Sequence, residues 1–214
     1  RSPLDLRVNT LRTSREEALK AFAADGIEAS PTPWSPLGIR LRGKPALNRH
    51  PLFVGGQVDV QDEGSQLLGF LLAPKRREMV ADFCAGAGGK TLALAAAMGN
   101  RGRLIACDES EARMAAMNER LTRAGVTIVE RVAFGEGAQQ TTPSPFPLPS
   151  REGDSTEAPA SGESFEIPSP SGRGWRAQRA GEGAGALPLA DRVLVDAPCS
   201  GSGTWRRHPE AKWR

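Results

Sequence analysis

No run in this sequence approaches the roughly 20 consecutive apolar residues that a helix needs to span a bilayer, so no transmembrane helix is expected. Cysteine is scarce. Cys84, Cys107 and Cys199 are widely spaced and form no C-x-x-C pair, which argues against a secreted disulfide framework and gives no zinc signature. No metal site is expected, and a reducing cytoplasm is the expected compartment. A strong charge of one sign is also missing: 28 Lys and Arg stand against 25 Asp and Glu, for a net charge of +3. Residues 137–186 contribute four Arg and six acids, so the rest carries 24 basic and 19 acidic residues. That mild basic balance is compatible with a nucleic-acid partner without requiring one. The sequence opens on Arg1 with no charged-then-apolar leader, and a piece of a longer protein is expected.

What is present begins with a small α/β unit over residues 1–57. "LDLRVNT" alternates Leu4, Leu6 and Val8 on one face of a strand. "SREEALKAFAADG" follows as a helix, with Ser14 and Glu17 at capping-box spacing and Gly26 at its stop. "GIRLRG" is a second strand, placing Ile39 and Leu41 on one face and Arg40 and Arg42 on the other. Nine basic residues against five acidic ones make this unit a candidate RNA-contacting flank, although a solvated sheet face explains the same charges.

From residue 58 to 214 the pattern alternates strand and helix. Asp62 caps a helix with an expected apolar face of Leu67, Leu68, Leu71 and Leu72. "MVADFC" is a buried strand, a glycine turn opens onto the helical "TLALAAAMG", and "RLIACD" is the next strand. An amphipathic helix carries Met114, Met117 and Leu121 at core spacing, then "VTIVERVAF" and "DRVLVDAP" supply two more strands. This order predicts a doubly wound, Rossmann-like parallel sheet. Residues 137–186 interrupt it: 22 of these 50 residues are Gly, Pro or Ser, and branched aliphatics are nearly absent. Such a stretch cannot bury enough surface to offset its ordering entropy, so a low-complexity insertion is expected there.

The turn "DFCAGAGGKT" ends like a phosphate-binding loop, but the Walker pattern needs a glycine where Cys84 stands. In a doubly wound sheet, ligands bind beyond the carboxyl ends of the strands where strand order reverses. Gly86, Gly88 and Gly89 allow close backbone approach at a helix start, and Asp108 follows at the distance where such folds place a ribose-binding acid. Both NAD-binding proteins and S-adenosylmethionine-dependent methyltransferases share that arrangement. A dinucleotide fingerprint would want a third glycine at Thr91, so the methyl donor is favoured. Glu136, leaving the third strand, is a candidate for a bound adenine or a plain loop residue.

The fourth strand leads into "DAPCSGSGT". Carbon 5 of a pyrimidine is a poor nucleophile until a thiolate adds to carbon 6. Cys199 stands beside the presumed donor site, and Asp196, three residues earlier, could bond a cytosine's exocyclic amine.

"DFCAGAGGKT", "ACDES", "DAPCSGSGT" and "RRHPEAKWR", with "RVNTLRTSREE" and "VQDEGSQLL" before them, resemble the Sun (RsmB-type) family of ribosomal-RNA cytosine-5 methyltransferases. The resemblance covers most of the chain outside residues 137–186. It implies S-adenosylmethionine bound by the segment Cys84, Ala85, Gly86, Ala87, Gly88, Gly89 and Lys90, and by Asp108, Glu136 and Asp196. It places Lys90 near both donor and target base, and gives Cys199 the task of releasing product. The attacking thiolate is implied in a Thr-Cys motif one strand beyond Arg214. Arg206, Arg207, His208 and Lys212 could then meet the RNA backbone, with small-subunit ribosomal RNA as the implied partner. Two departures stand out: Gly86 and Ala87 replace an Ala-Pro pair, and Glu136 replaces an Asp. A non-catalytic RNA- or donor-binding module is the alternative reading.

Overall fold

The computed structural model describes residues 4–43, 45–133 and 189–197, so Glu136, the 137–186 stretch, Cys199 and Arg206–Lys212 lie outside the described residues. Two four-stranded sheets are present among those described.

The first is antiparallel. Strand β1 (Leu4–Val8) pairs with β3 (Gly38–Leu41) on one side and β4 (Val58–Val60) on the other, and β2 (Ala29–Pro31) flanks β3. Leu6 faces Ile39 in register, so the alternation read from the sequence lands on one apolar face. Helix α1 (Arg15–Ala24) covers that face with Ala18 and Phe22, both fully buried. Its capping box forms as expected: the Ser14 hydroxyl accepts from the Glu17 amide at 3.2 Å, and the Glu17 carboxylate accepts from the Ser14 amide at 2.9 Å. Val58–Val60 completes this sheet, whereas the sequence pattern placed it at the start of the following part. Three residues are too few to reveal a sheet by alternation. The same limit hid β2 and the short helix α2 (Pro51–Val54), whose first turn is capped by the His50 ring nitrogen Nδ1 accepting from the Leu52 amide.

Helix α3 (Glu63–Leu72) starts on Asp62, whose carboxylate accepts from the Ser65 amide at 3.1 Å. Its buried face is not the expected one. Leu68 and Leu72 pack against the core of the second sheet, but Leu71 is 81% exposed and Glu63 and Gln66 are buried instead. Those two polar groups are fully engaged. Glu63 accepts from the Trp34 and Ser35 amides at 2.6 and 2.9 Å. The Gln66 amide donates to the carbonyls of Leu6 and Gln61, and its oxygen accepts from the Ser35 hydroxyl. Buried polar groups with partners carry little penalty, so the helix can turn them inward.

The second sheet is parallel, in the order β7-β6-β5-β8, from β5 (Met79–Asp82), β6 (Arg103–Asp108), β7 (Val129–Ala133) and β8 (Arg192–Leu194). Helix α4 (Gly89–Ala97) connects β5 to β6, and α5 (Glu111–Ala124) connects β6 to β7. Leu92, Leu94, Ala95 and Met98 of the α4 region join Met114, Met117 and Leu121 of α5 in one core, confirming the methionine stripe as packing. This is the expected doubly wound, Rossmann-like arrangement, with the chain running outward from β5 through β6 to β7 and returning to the other side of β5 as β8. Asp191 and Arg192 lock β8 to its neighbours. The Asp191 carboxylate accepts from the Met79 amide at 2.7 Å, the Asp191 amide donates to the Met79 carbonyl at 2.7 Å, and the Arg192 guanidinium grips both oxygens of Glu78.

The two sheets touch through polar backbone contacts. The Asn9 side-chain amide donates to Gly56 and Ala124 carbonyls at 2.8 and 2.9 Å, and Arg12 donates to the same Ala124 carbonyl. Gly56, at a φ of +67°, is required here because a β-carbon would lie 1.9 Å from the Arg123 carbonyl oxygen.

Candidate functional site

Reversal of strand order falls at β5, and the carboxyl ends of β5, β6 and β8 meet there. Beyond β5 the chain makes the glycine turn. Gly86 (φ +55°) and Gly88 (φ +84°) both use left-handed backbone, which side-chain-bearing residues adopt only with strain. The two glycines serve different ends. A β-carbon on Gly88 would lie 2.5 Å from Met117 Cγ, so Gly88 lets the turn settle onto α5, whereas one on Gly86 would meet nothing within 4 Å. Gly86 therefore lines open space. Helix α4 then starts with Gly88 as its N-cap, with no side-chain cap bond and no acid in its first turn. The amides of that turn point their partial positive charge toward the same region.

Three bonds from its own backbone amides help to hold the turn. The Ala85 amide donates to the Cys107 carbonyl at 2.9 Å, and the Gly88 amide to the Ala85 carbonyl at 2.9 Å. The Gly86 amide donates to Asp108 Oδ2 at 2.8 Å. Asp108, at the end of β6 and only 4% exposed, also accepts from the Ser110 amide at 2.9 Å and faces Arg113 at 3.2 Å. The structure thus joins the glycine turn and the expected ribose acid directly. It also joins Lys90 to Asp196, whose groups form an ion pair across the end of β5. Lys90 is mostly buried, and the Asp196 side chain is 42% exposed, so that carboxylate faces solvent at the site's mouth.

One group at this centre was not singled out for its burial by the sequence pattern. Asp82, the last residue of β5, is fully buried. The Thr91 hydroxyl donates to its Oδ2 at 2.7 Å, while its Oδ1 has no hydrogen-bond partner. Burial pushes this carboxyl up to about 6, and the Thr91 bond and the nearby Lys90 charge offset only part of that. An acid inside an apolar strand was visible in the sequence, but its orphaned oxygen was not.

Of the cysteines, Cys107 is buried and its thiol is pushed up to about 12 by burial, so it stays protonated and inert. Cys84 is half-buried in the turn, and burial, then the Asp108 charge, also raises its thiol. Neither has the activated character of a nucleophile. Among the described residues no cluster of three or more His, Cys, Asp or Glu could hold a metal ion, and no helix is long and apolar enough to cross a membrane.

The basic residues of the N-terminal sheet are largely paired within it. Arg40 donates to both oxygens of Asp5 at 2.7 and 2.8 Å, Arg42 pairs with Glu28, and Arg7 is buried. Burial lowers the Arg7 guanidinium to about 10, with the Asp59 charge acting against that shift.

Comparison with known proteins places these features in context. Residues 69–142 and 177–214 match the family model described as 16S rRNA methyltransferase RsmB/F, and residues 1–48 match the RsmF/B-like ferredoxin-like domain. The Yersinia pseudotuberculosis protein named "Ribosomal RNA small subunit methyltransferase B" is 32% identical over 213 residues, covering 100% of this chain and 39% of that protein. A Synechocystis protein named "Probable ribosomal RNA small subunit methyltransferase B" is 31% identical over 99% of this chain and 38% of its own length. The solved structure of PH0851 is 27% identical and superposes over 100% of this chain and 39% of that one, with a TM-score of 0.73. The chain therefore spans about two fifths of the length of the curated relatives it matches.

Proposed function

The chain belongs to the RsmB/F family of 16S rRNA methyltransferases, and from that premise we propose that the protein carrying it methylates carbon 5 of a cytosine in small-subunit ribosomal RNA, with S-adenosylmethionine as methyl donor. The observation that carries this reading is the meeting of three strand ends: the open Gly86 turn, Asp108 bonded to that turn, and Asp196 paired with Lys90.

The residues fit the donor. Space beside Gly86 admits a ligand against bare backbone, the uncapped first turn of α4 suits a carboxylate, and Asp108 suits paired ribose hydroxyls. The donor supplies an electrophilic methyl group on a sulfonium. Cys84 to Lys90, with Asp108, hold it, and Glu136 is assigned to its adenine from sequence position alone.

On the RNA side, Asp196 is assigned to the target base. Its half-exposed carboxylate can accept from the exocyclic amine of cytosine, and the Lys90 ammonium, paired with it, orients that carboxylate. Cytosine carbon 5 becomes nucleophilic only when a thiolate has added to carbon 6, and Cys199 is assigned to the breakdown of that adduct. Arg206, Arg207, His208 and Lys212 follow in sequence as backbone contacts for RNA.

The deciding experiment incubates the full-length protein that carries this chain with methyl-labelled S-adenosylmethionine and small-subunit ribosomal RNA, then digests the RNA to nucleosides. Label is expected in 5-methylcytidine. Recovery of the label in any other nucleoside, or none in RNA, overturns the proposal. Calorimetric titration of Asp108→Ala with the donor is expected to show a loss of about 1–3 kcal/mol. An unchanged affinity removes Asp108 from the donor site.

A further inference from the structure

Arg120 lies on the polar face of α5, a position that reads as solvated, yet its guanidinium is spent on two inward contacts. Its Nη1 donates to the Ala87 carbonyl at 2.7 Å, and its Nη2 donates to Asp59 Oδ2 at 2.5 Å. Ala87 sits between the two left-handed glycines, at the point where the turn has the most backbone freedom. The peptide unit linking Ala87 to Gly88 is therefore fixed at both ends, its carbonyl by Arg120 and its N–H by the Ala85 carbonyl. Asp59 belongs to β4, in the middle of the other sheet's edge strand. Its other oxygen accepts from Arg123 at 3.3 Å, and the Arg123 guanidinium lies 4.2 Å over the Phe53 ring. The Asp59 side chain is 11% exposed, so its pairing with Arg120 is shielded from screening by solvent.

We propose that Asp59 and Arg120 are positioning residues for the donor site: the N-terminal sheet, through Asp59, holds the guanidinium of Arg120, which in turn holds the Ala87 peptide and so sets the shape of the donor turn. The side-chain bonds described for Asp59 go to Arg120 and Arg123 rather than to the turn. A single side chain thereby makes the conformation of the methyl-donor loop depend on the docking of the N-terminal sheet. Planar, forked geometry matters, because one guanidinium serves two acceptors from two different nitrogens, which a lysine ammonium at the same place cannot reproduce with the same spread.

The proposal rests on the donor reading above, so its test carries one arm with the donor and one without. In the ligand-free protein, amide hydrogen exchange is measured across residues 86–92 in wild type, Asp59→Asn and Arg120→Lys. Both variants are expected to speed exchange at the turn at least tenfold while the amides of β6 keep their wild-type protection. With S-adenosylmethionine, calorimetry is expected to show affinity falling roughly tenfold in Arg120→Met and roughly three- to fivefold in Asp59→Asn. The double variant should be no weaker than Arg120→Met alone, because Asp59 acts only through Arg120. Wild-type exchange at the turn in Asp59→Asn, or losses that add in the double variant, overturns the proposal. If the wild-type protein binds no donor, the functional reading fails and the exchange arm alone decides this one.

Discussion

The two sheets differ in how completely their buried carboxylates are satisfied. In and beside the antiparallel sheet every buried acid described above has its partners: Asp5 is gripped by Arg40, Glu63 at the start of α3 takes two backbone amides, and Asp59 takes two arginines. In the parallel sheet Asp108 is likewise bonded through both oxygens, but Asp82 is fully buried, keeps one oxygen without a partner and has a raised pKa. Satisfied charges make the first sheet a scaffold whose arginines are largely committed. The unsatisfied one lies at the carboxyl end of β5, beside the donor turn, where an energetic defect coincides with the place that chemistry requires.

That contrast can be broken at its most constrained point. Gly88→Ala is expected to cost about 2–5 kcal/mol, combining left-handed strain with overpacking against Met117. Gly86→Ala, with the same kind of φ but open space, is expected to cost only about 1–2 kcal/mol. Denaturant unfolding of both variants measures the gap, and equal losses would show that backbone strain alone shapes the turn. Next in size, Arg40→Met strips Asp5 of its cation and is expected to cost about 2–4 kcal/mol, the lower end reflecting the partial exposure of Arg40.

Asp82→Asn should change stability in the opposite direction. The native carboxyl at about 6 holds its proton above the ordinary value of 3.8, so the folded state binds more protons between those pH values. Its favourable contribution is complete below about pH 4 and is lost as pH rises through 6. Asp82→Asn should abolish that decline and gain up to about 3 kcal/mol above pH 6. A stability profile parallel to wild type from pH 4 to 7 would count against an unsatisfied carboxylate. The smallest effect belongs to the first sheet's helix: Ser14→Ala removes one half of the capping box and is expected to cost about 1 kcal/mol by thermal or denaturant melts.

The same contrast explains what could be read from the sequence. β1, β3, β5 and β6 carry apolar runs or alternations long enough to show their period, and α1 and α5 announce themselves by caps and by Met114, Met117 and Leu121. Asp108 was legible because its spacing from the glycine turn follows from one strand–helix–strand unit. Glu63, Gln66 and Arg120 were not, since a polar side chain turned inward has no signature until its partner is known. Those partners are remote in sequence: Ser35 for Glu63 and Gln66, and Asp59 for Arg120. The Lys90–Asp196 pair joins two recognised motifs, but their adjacency follows from β8 pairing with β5, which is a fact of topology rather than of either motif.

The manner in which β8 is moored has a consequence for the length of chain that precedes it. Its register is set by its own leading residues: Asp191 exchanges two bonds with Met79, and Arg192 clasps Glu78, whose carboxylate is held below its usual range chiefly by that arginine. A strand that carries its own latch finds its slot whatever the span between Ala133 and Arg192. Closing a loop costs only about 0.6 kcal/mol more for each doubling of its length. Evolution can therefore lengthen or shorten that connection while Asp196, four residues past the latch, still arrives opposite Lys90.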